Sequence, residues 1–170
     1  MLIGFRARNH RQQVLVRGAR PEVDDRATTP EVFGPLNERF AFTLDVAASA
    51  RNAKCERYFT ADDDGLAQSW GMENVWCNPP YSNIGEWVAK AWDEQAVGLT
   101  VMLLPANRTE QGWWQEMVEP FRDRPDSALR TEFLAGRLRF IAHDRDHVEP
   151  NERPPFGCVL LVFDWEQSRR

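Results

Sequence analysis

The chain has 170 residues, 42% hydrophobic and 28% charged, a size and balance that suit one compact domain and exclude a wholly disordered chain. Its net charge of −5 excludes nucleic-acid binding by bulk positive charge alone. Cys55, Cys77 and Cys158 include no close pair, no apolar run approaches membrane-spanning length, and no signal-peptide core precedes the first arginines, so a reduced, cytoplasmic protein is expected.

Residues 1–27 read as a basic, partly flexible arm, with Arg6, Arg8, Arg11, Arg17, Arg20 and Arg26 set against Glu22, Asp24 and Asp25. Such an arm suits a phosphate backbone and equally a solvated tail; Val14–Val16 could add a short edge strand. The ordered domain is expected over 28–170. Thr29-Pro30-Glu31 predicts a helix start, Thr29 capping and Pro30 at the first position, and Val32, Phe33, Leu36 and Phe40 continue at helical spacing.

Phe42–Val46 reads as a short strand that breaks into Ala47-Ala48-Ser49, and a polar stretch leads to Asp62-Asp63-Asp64-Gly65. Asn74–Cys77 is a second strand, ending at Asn78-Pro79-Pro80-Tyr81. Ile84, Trp87, Val88, Ala91 and Trp92 mark one face of a helix, and Val97–Leu104 suits a buried parallel strand. Trp113, Trp114, Met117 and Val118 suggest a further helix, and Cys158–Phe163 a last buried strand. Strands alternating with helices imply an α/β sheet. Ligands in such sheets bind beyond the carboxyl ends of the strands, where Asp45–Ser49, Asn78–Tyr81 and the residues from Pro105 onward fall.

Asn78-Pro79-Pro80-Tyr81 has a specific chemical use. An exocyclic amine on a purine is a poor nucleophile because its lone pair is delocalised into the ring. Acceptors beside its two N–H groups localise that pair and support the positive charge that develops on methyl transfer. The Asn78 side-chain oxygen and the Pro79 carbonyl could supply them, on a turn stiffened by two prolines. Tyr81 offers a ring on which an extruded base can stack, offsetting ~1–3 kcal/mol of the few kcal/mol that extrusion costs.

The tetrapeptide after a hydrophobic strand resembles the signature of amino-directed methyltransferases, in which Asn or Asp opens it. Thr29–Phe33, Phe42–Ser49, Asn52–Phe59, Asp64–Leu66, Val75–Ser82, Leu104–Ala106, Trp113-Trp114 and Gly136–Phe140, in that order, resemble the phage-type DNA adenine N6-methyltransferase family over roughly residues 28–163. The resemblance implies a compact α/β domain with a doubly wound, mostly parallel sheet of the Rossmann-like S-adenosylmethionine-dependent methyltransferase type. It also implies a small target-recognition element within 106–157. Thr29 and Pro30 would line the methionine end of the cofactor, Asp45, Ala47, Ala48 and Ser49 would take the place of the first cofactor motif, and Asp64, Gly65 and Leu66 would hold the cofactor adenine beside Asn78. Two departures stand out: Ala27 replaces a usual tryptophan, and Ala-Ala-Ser replaces the glycine-rich loop.

Plainer readings accompany each feature. Asn78–Tyr81 could be only a proline-rich turn, and Asp45 could cap the segment after its strand. Asp62–Asp64 lack the spacing of a calcium loop. His143 and His147 sit in what reads as an exposed loop, so no metal is expected. Adjacent Trp113 and Trp114 cannot share one core-facing side of a helix, so one could reach DNA, as could Arg108, Arg130, Arg137 and Arg139. The expected activity is methyl transfer from S-adenosylmethionine to a flipped-out adenine in double-stranded DNA, in the cytoplasm of a bacterial host and away from membranes. Methylation of RNA adenine or protein glutamine demands the same acceptors, and a non-catalytic DNA-binding relative is the rival of another class.

Overall fold

The computed structural model describes residues 26–95, 98–142, 146–148, 154 and 156–166. In chain order these form β1 (Arg26–Thr28), α1 (Pro30–Phe40), β2 (Leu44–Asp45), β3 (Arg57–Tyr58), β4 (Asn74–Cys77), α2 (Ile84–Asp93), β5 (Leu99–Pro105), α3 (Gly112–Met117), β6 (Leu129–Phe133), β7 (Phe140–Ala142) and β8 (Cys158–Asp164). Val14–Val16, Val97 and His143 lie outside the described residues.

α1 starts where the sequence places it, with Pro30 pre-set for the first turn. The Thr29 carbonyl accepts from Val32 N at 3.1 Å and Phe33 N at 3.0 Å, but its side chain makes no capping bond. The helix ends at Ala41, whose left-handed φ of 50° lets its N–H reach the Asn37 carbonyl at 2.8 Å.

Six strands form one sheet in the order β3-β2-β4-β5-β8-β6. The pairs β3/β2, β2/β4 and β4/β5 are parallel, whereas β8 runs antiparallel to both β5 and β6. Strand alternation divides the core between two faces. Trp76, Val101, Leu103, Leu160 and Val162 pack with Phe40 and Phe42 on the face that carries Phe33 and Leu36 of α1. Val75, Cys77, Met102, Leu104, Leu161 and Phe163 pack on the opposite face with Ile84, Trp87 and Val88 of α2 and Trp114 of α3. A register slip of one residue would exchange these two sets, so the pairing is strongly specified. The molecule is thus a mixed α/β domain with a mostly parallel central sheet, covered by helices on both faces.

Two expectations change. The strand expected over Phe42–Val46 narrows to Leu44–Asp45, because Asn37 Oδ1 takes the Phe42 N–H at 3.0 Å. Isolated bonds from Thr43 N to the Asn74 carbonyl and from Val46 N to the Trp76 carbonyl still flank the short ladder. The run ending at Leu104 is parallel to β4 only on one side; its other neighbour, β8, is antiparallel. A strand buried on both faces has the same composition in either direction, so pattern could not reveal this.

A separate two-stranded ribbon pairs β1 with β7, Thr28 opposite Phe140 and Arg26 opposite Ala142. Arg26 and Ala27, at the end of the expected arm, therefore belong to a strand. The chain passes from β2 to β3 on one edge of β2 and returns to β4 on its other edge, which makes the carboxyl ends of β2 and β4 a switch point open to a ligand. No described helix is long and apolar enough to cross a membrane.

Candidate active site

A cavity of about 630 Å³ opens at that switch point, a size within the usual range for small-molecule sites. Its walls come from β1, from the segments after β2 and β4, and from the loop around Gly65. Asp45, Ala47, Ala48, Ser49, Asp64, Gly65, Leu66, Asn78 and Pro80 all line it. The sequence expectations thus converge on one concave surface, although they span more than thirty residues of chain.

Asp45 ends β2 and is 3% exposed. Its carboxylate accepts from Ala47 N at 3.3 Å and Lys54 N at 3.0 Å, folding the 45–54 loop round itself. Burial outweighs those two N–H groups and pushes its pKa up to about 6. Asp45 therefore ties down its own loop and also lines the cavity. Ser49 N donates to Asn52 Oδ1 at 2.7 Å, and Ala48 N to the Phe59 carbonyl at 2.9 Å, so the Ala-Ala-Ser turn is held from both sides.

Gly65 is required by contact. A Cβ there would lie 2.1 Å from the Val46 carbonyl oxygen and 3.1 Å from the Trp87 ring, so the two walls approach only because the side chain is absent. Asp64 beside it is exposed at a left-handed φ of 54°.

Asn78 follows β4 directly. Its Nδ2 donates to the Arg26 carbonyl at 2.8 Å and to Thr28 Oγ1 at 3.3 Å. The amino half of the amide is thus turned to β1, and the oxygen is the half left to act as acceptor. Pro79 is buried, and the Pro80 carbonyl accepts from Asn83 N at 3.4 Å, which closes the turn.

Tyr81 is placed differently from the sequence expectation. It is 8% exposed, packs edge-on against Phe156 with ring centroids 6.0 Å apart, and does not line the cavity. Its hydroxyl has no hydrogen-bond partner among the described residues, and burial raises its pKa. Arg108 holds this end of the tetrapeptide: Nη1 donates to the Tyr81 carbonyl at 2.5 Å, and the guanidinium lies 5.9 Å from the ring centroid.

Thr29 is buried and Pro30 exposed, and neither lines the cavity; Arg26, Ala27 and Thr28 take that wall. Trp114 is the core member of the tryptophan pair, with Nε1 donating to Glu119 at 2.9 Å. Trp113 is half-buried, packs over Gly85, and donates to Gln111 Oε1 at 2.8 Å. Arg137 is exposed and Arg139 half-buried, both away from the cavity lining. The structure therefore groups Asp45, Ala47, Ala48, Ser49, Asp64, Gly65, Leu66, Asn78 and Pro80 round one cavity, but not Thr29, Pro30, Pro79, Tyr81 or the expected DNA contacts.

Sequence reasoning missed Thr28, Asn83 and Trp87. Trp87 is 6% exposed and lines the cavity, yet its Nε1 has no hydrogen-bond partner among the described residues. Asn83 Oδ1, one helical turn earlier and also in the lining, is likewise unpaired. A buried donor and acceptor without partners are costly unless something else satisfies them. The spacing of four residues was legible, but Trp87 also fits an apolar helix face, which concealed its polar edge. No group of three potential metal ligands occurs among the described residues.

Comparison with known proteins gives matches over most of the chain. A family model described as DNA N-6-adenine-methyltransferase (Dam) matches residues 18–170. The DNA N-6-adenine-methyltransferase of Escherichia phage T1 is 37% identical over 154 residues, covering 83% of this chain and 63% of the relative. That of Haemophilus phage HP1 is 28% identical over 124 residues, covering 72% of this chain and 67% of the relative. The putative methyltransferase YfdM of Escherichia coli K12 is 38% identical over 68 residues, covering 35% of this chain and 75% of the relative. The chain thus spans somewhat less than two thirds of the length of the phage T1 protein.

Proposed function

The chain belongs to the DNA N-6-adenine-methyltransferase (Dam) family, and from that membership and its site we propose that it transfers a methyl group from S-adenosylmethionine to N6 of an adenine in double-stranded DNA. The observation that carries the reading is the Asn78 amide, whose donor half is engaged by β1 and whose oxygen is left to receive an amino N–H. Its fold is then the doubly wound, Rossmann-like methyltransferase type, and its setting the bacterial cytoplasm in which phage genes act.

The cavity fits such a cofactor. It is large enough for a nucleoside joined to an amino acid, Gly65 admits close approach, and Trp87 Nε1 and Asn83 Oδ1 are a donor and an acceptor for its polar ends. Asp45, Ala47, Ala48 and Ser49 would hold one half and Asp64, Gly65 and Leu66 the adenine, with Ala27 and Thr28 forming the wall first assigned to Thr29 and Pro30. When bound, S-adenosylmethionine supplies an electrophilic methyl group on a sulfonium, which departs as a neutral thioether.

The protein's contribution is positioning and electrostatics. Asn78 Oδ1 and the Pro79 carbonyl accept the two N6–H bonds, concentrate the lone pair on nitrogen, and stabilise the positive charge as the N–C bond forms. The methylated amine then loses a proton to water, so no strong base is needed. Pro79 and Pro80 restrict the turn before substrate arrives. Tyr81 stacks on the flipped base once its ring parts from Phe156. Arg137, Arg139 and Trp113, in or beside the 106–157 recognition element, and the arginines of the N-terminal arm contact DNA.

The test is transfer of labelled methyl from S-adenosylmethionine to unmethylated duplex DNA, with mass spectrometry of the digested nucleosides. N6-methyladenine is the expected product. Asn78→Ala should lower kcat at least ~100-fold, in keeping with loss of a donor or acceptor aimed at transition-state charge, while calorimetry shows cofactor affinity nearly unchanged. Cofactor binding with no transfer to DNA would overturn the assignment and direct the search to RNA adenine and protein glutamine.

A further inference from the structure

We infer that Thr28 is a positioning residue that, together with the Arg26 carbonyl, fixes the orientation of the Asn78 amide; the inference deepens the methyltransferase reading and rests on it. An asparagine side chain has two faces of opposite polarity, and rotating its terminal torsion by half a turn exchanges them. One face promotes reaction at an amine and the other opposes it, because an NH2 group turned to an amino substrate sets donor against donor. Some feature of the protein has to select between them.

β1 makes that selection. The Arg26 carbonyl lies 2.8 Å from Asn78 Nδ2 and can only accept, so the flipped amide would place oxygen against oxygen. One such contact chooses the end but leaves the plane free to rock. Thr28 Oγ1, 3.3 Å from the same nitrogen, adds a second anchor and fixes the plane. Thr28 is 1% exposed, so water does not compete for this bond. Its backbone is in turn registered against Phe140 in the β1/β7 ribbon. The catalytic amide thus takes its orientation from a strand some fifty residues away in sequence. Orienting partners behind a reactive group commonly change activity by one to two orders of magnitude without touching substrate.

The experiment compares Thr28→Val, which removes the hydroxyl at constant shape, with Thr28→Ser, which keeps it. In the intact chain Thr28→Val should lower kcat about tenfold, the effect of one buried hydrogen bond, with KM for DNA within about twofold of the parent. Thr28→Ser should retain most of kcat. The side-chain NH2 signals of Asn78, identified by their loss in Asn78→Ala, should exchange faster with solvent in Thr28→Val than in the parent or Thr28→Ser. Unaltered exchange in Thr28→Val would overturn the inference, as would equal losses of kcat, cofactor affinity and melting temperature in both variants. If the parent transfers no methyl to DNA yet the exchange rates order as stated, the assigned reaction fails while the orienting contact stands.

Discussion

At the scale of single residues, the site is governed by two positions whose chemistry is opposite. Gly65 matters for what it lacks. Gly65→Ala would drive a methyl group to 2.1 Å from the Val46 carbonyl, and backbone must move to relieve it. We expect a loss of about 1–3 kcal/mol in denaturant unfolding, and a larger proportional loss in calorimetric cofactor affinity, because the displaced strand end is a cavity wall. Asp45 matters for the charge it carries in a buried place. Its pKa is raised from 3.8 to about 6, so between those values the folded state holds a proton that the unfolded chain has released. The stability that Asp45 contributes is therefore full below about pH 4 and lost as pH rises to about 6, on the order of 1.4 kcal/mol per pH unit. Asp45→Asn, which mimics the protonated form, should gain stability relative to the parent across that window. Melting curves of both proteins at pH 4.5 and 7 check this; a constant difference would mean that Asp45 titrates normally.

At the scale of elements, the question is what fixes α1 over the sheet. A bidentate pair joins Arg39 near its end to Glu132 in β6, with both contacts at 2.6 Å. The pair is conspicuous, but its side chains are 51% and 31% exposed, and solvent screening limits such pairs to about 0–1 kcal/mol. Phe33 of α1 and Phe42 just beyond it each lie about 5.3 Å from the buried Trp76 ring and pack into the core of that face. Arg39→Ala should shift the urea midpoint only slightly, whereas Trp76→Ala should cost about 3–5 kcal/mol. Comparable losses in the two variants would show that the ion pair, and not the aromatic cluster, seats the helix. β1 and β7 illustrate the other limit. Three-residue strands have no detectable period, so neither was legible, although together they orient Asn78.

At the scale of the whole molecule, an overall charge of −5 has to be set beside the polyanionic substrate proposed above. Residues 1–17 carry Arg6, Arg8, Arg11 and Arg17 and no acidic residue, and they precede the stretch matched by the family model. Deleting them should weaken DNA binding and flatten its dependence on salt, by about 0.9 in the log–log slope for each arginine that contacts a phosphate. Cofactor binding should not change. An unaltered slope in a salt titration would assign these arginines to solvent and move the DNA contacts onto the 106–157 element.

The sequence by itself determined the family and nine of the residues that line the cavity. Asn74–Cys77, the Asn-Pro-Pro-Tyr turn, the α2 face and the start of α1 were legible, because local periodicity, proline geometry and turn chemistry act within a few residues. Asp45, Ala47, Ala48, Ser49, Asp64, Gly65 and Leu66 were legible as a set through an ordered resemblance, and the fold brings them to one surface. Only the tertiary structure decided the direction of β8, the burial of Tyr81 against Phe156, and the place of Thr28 behind Asn78. Each of these depends on a partner far along the chain. A buried strand reads alike in both directions, an aromatic ring suits a core as well as a base, and a threonine beside a helix start carries no mark of the amide it meets. Side-chain identity supplied the polar groups of the site, and long-range pairing fixed which of them line the cavity.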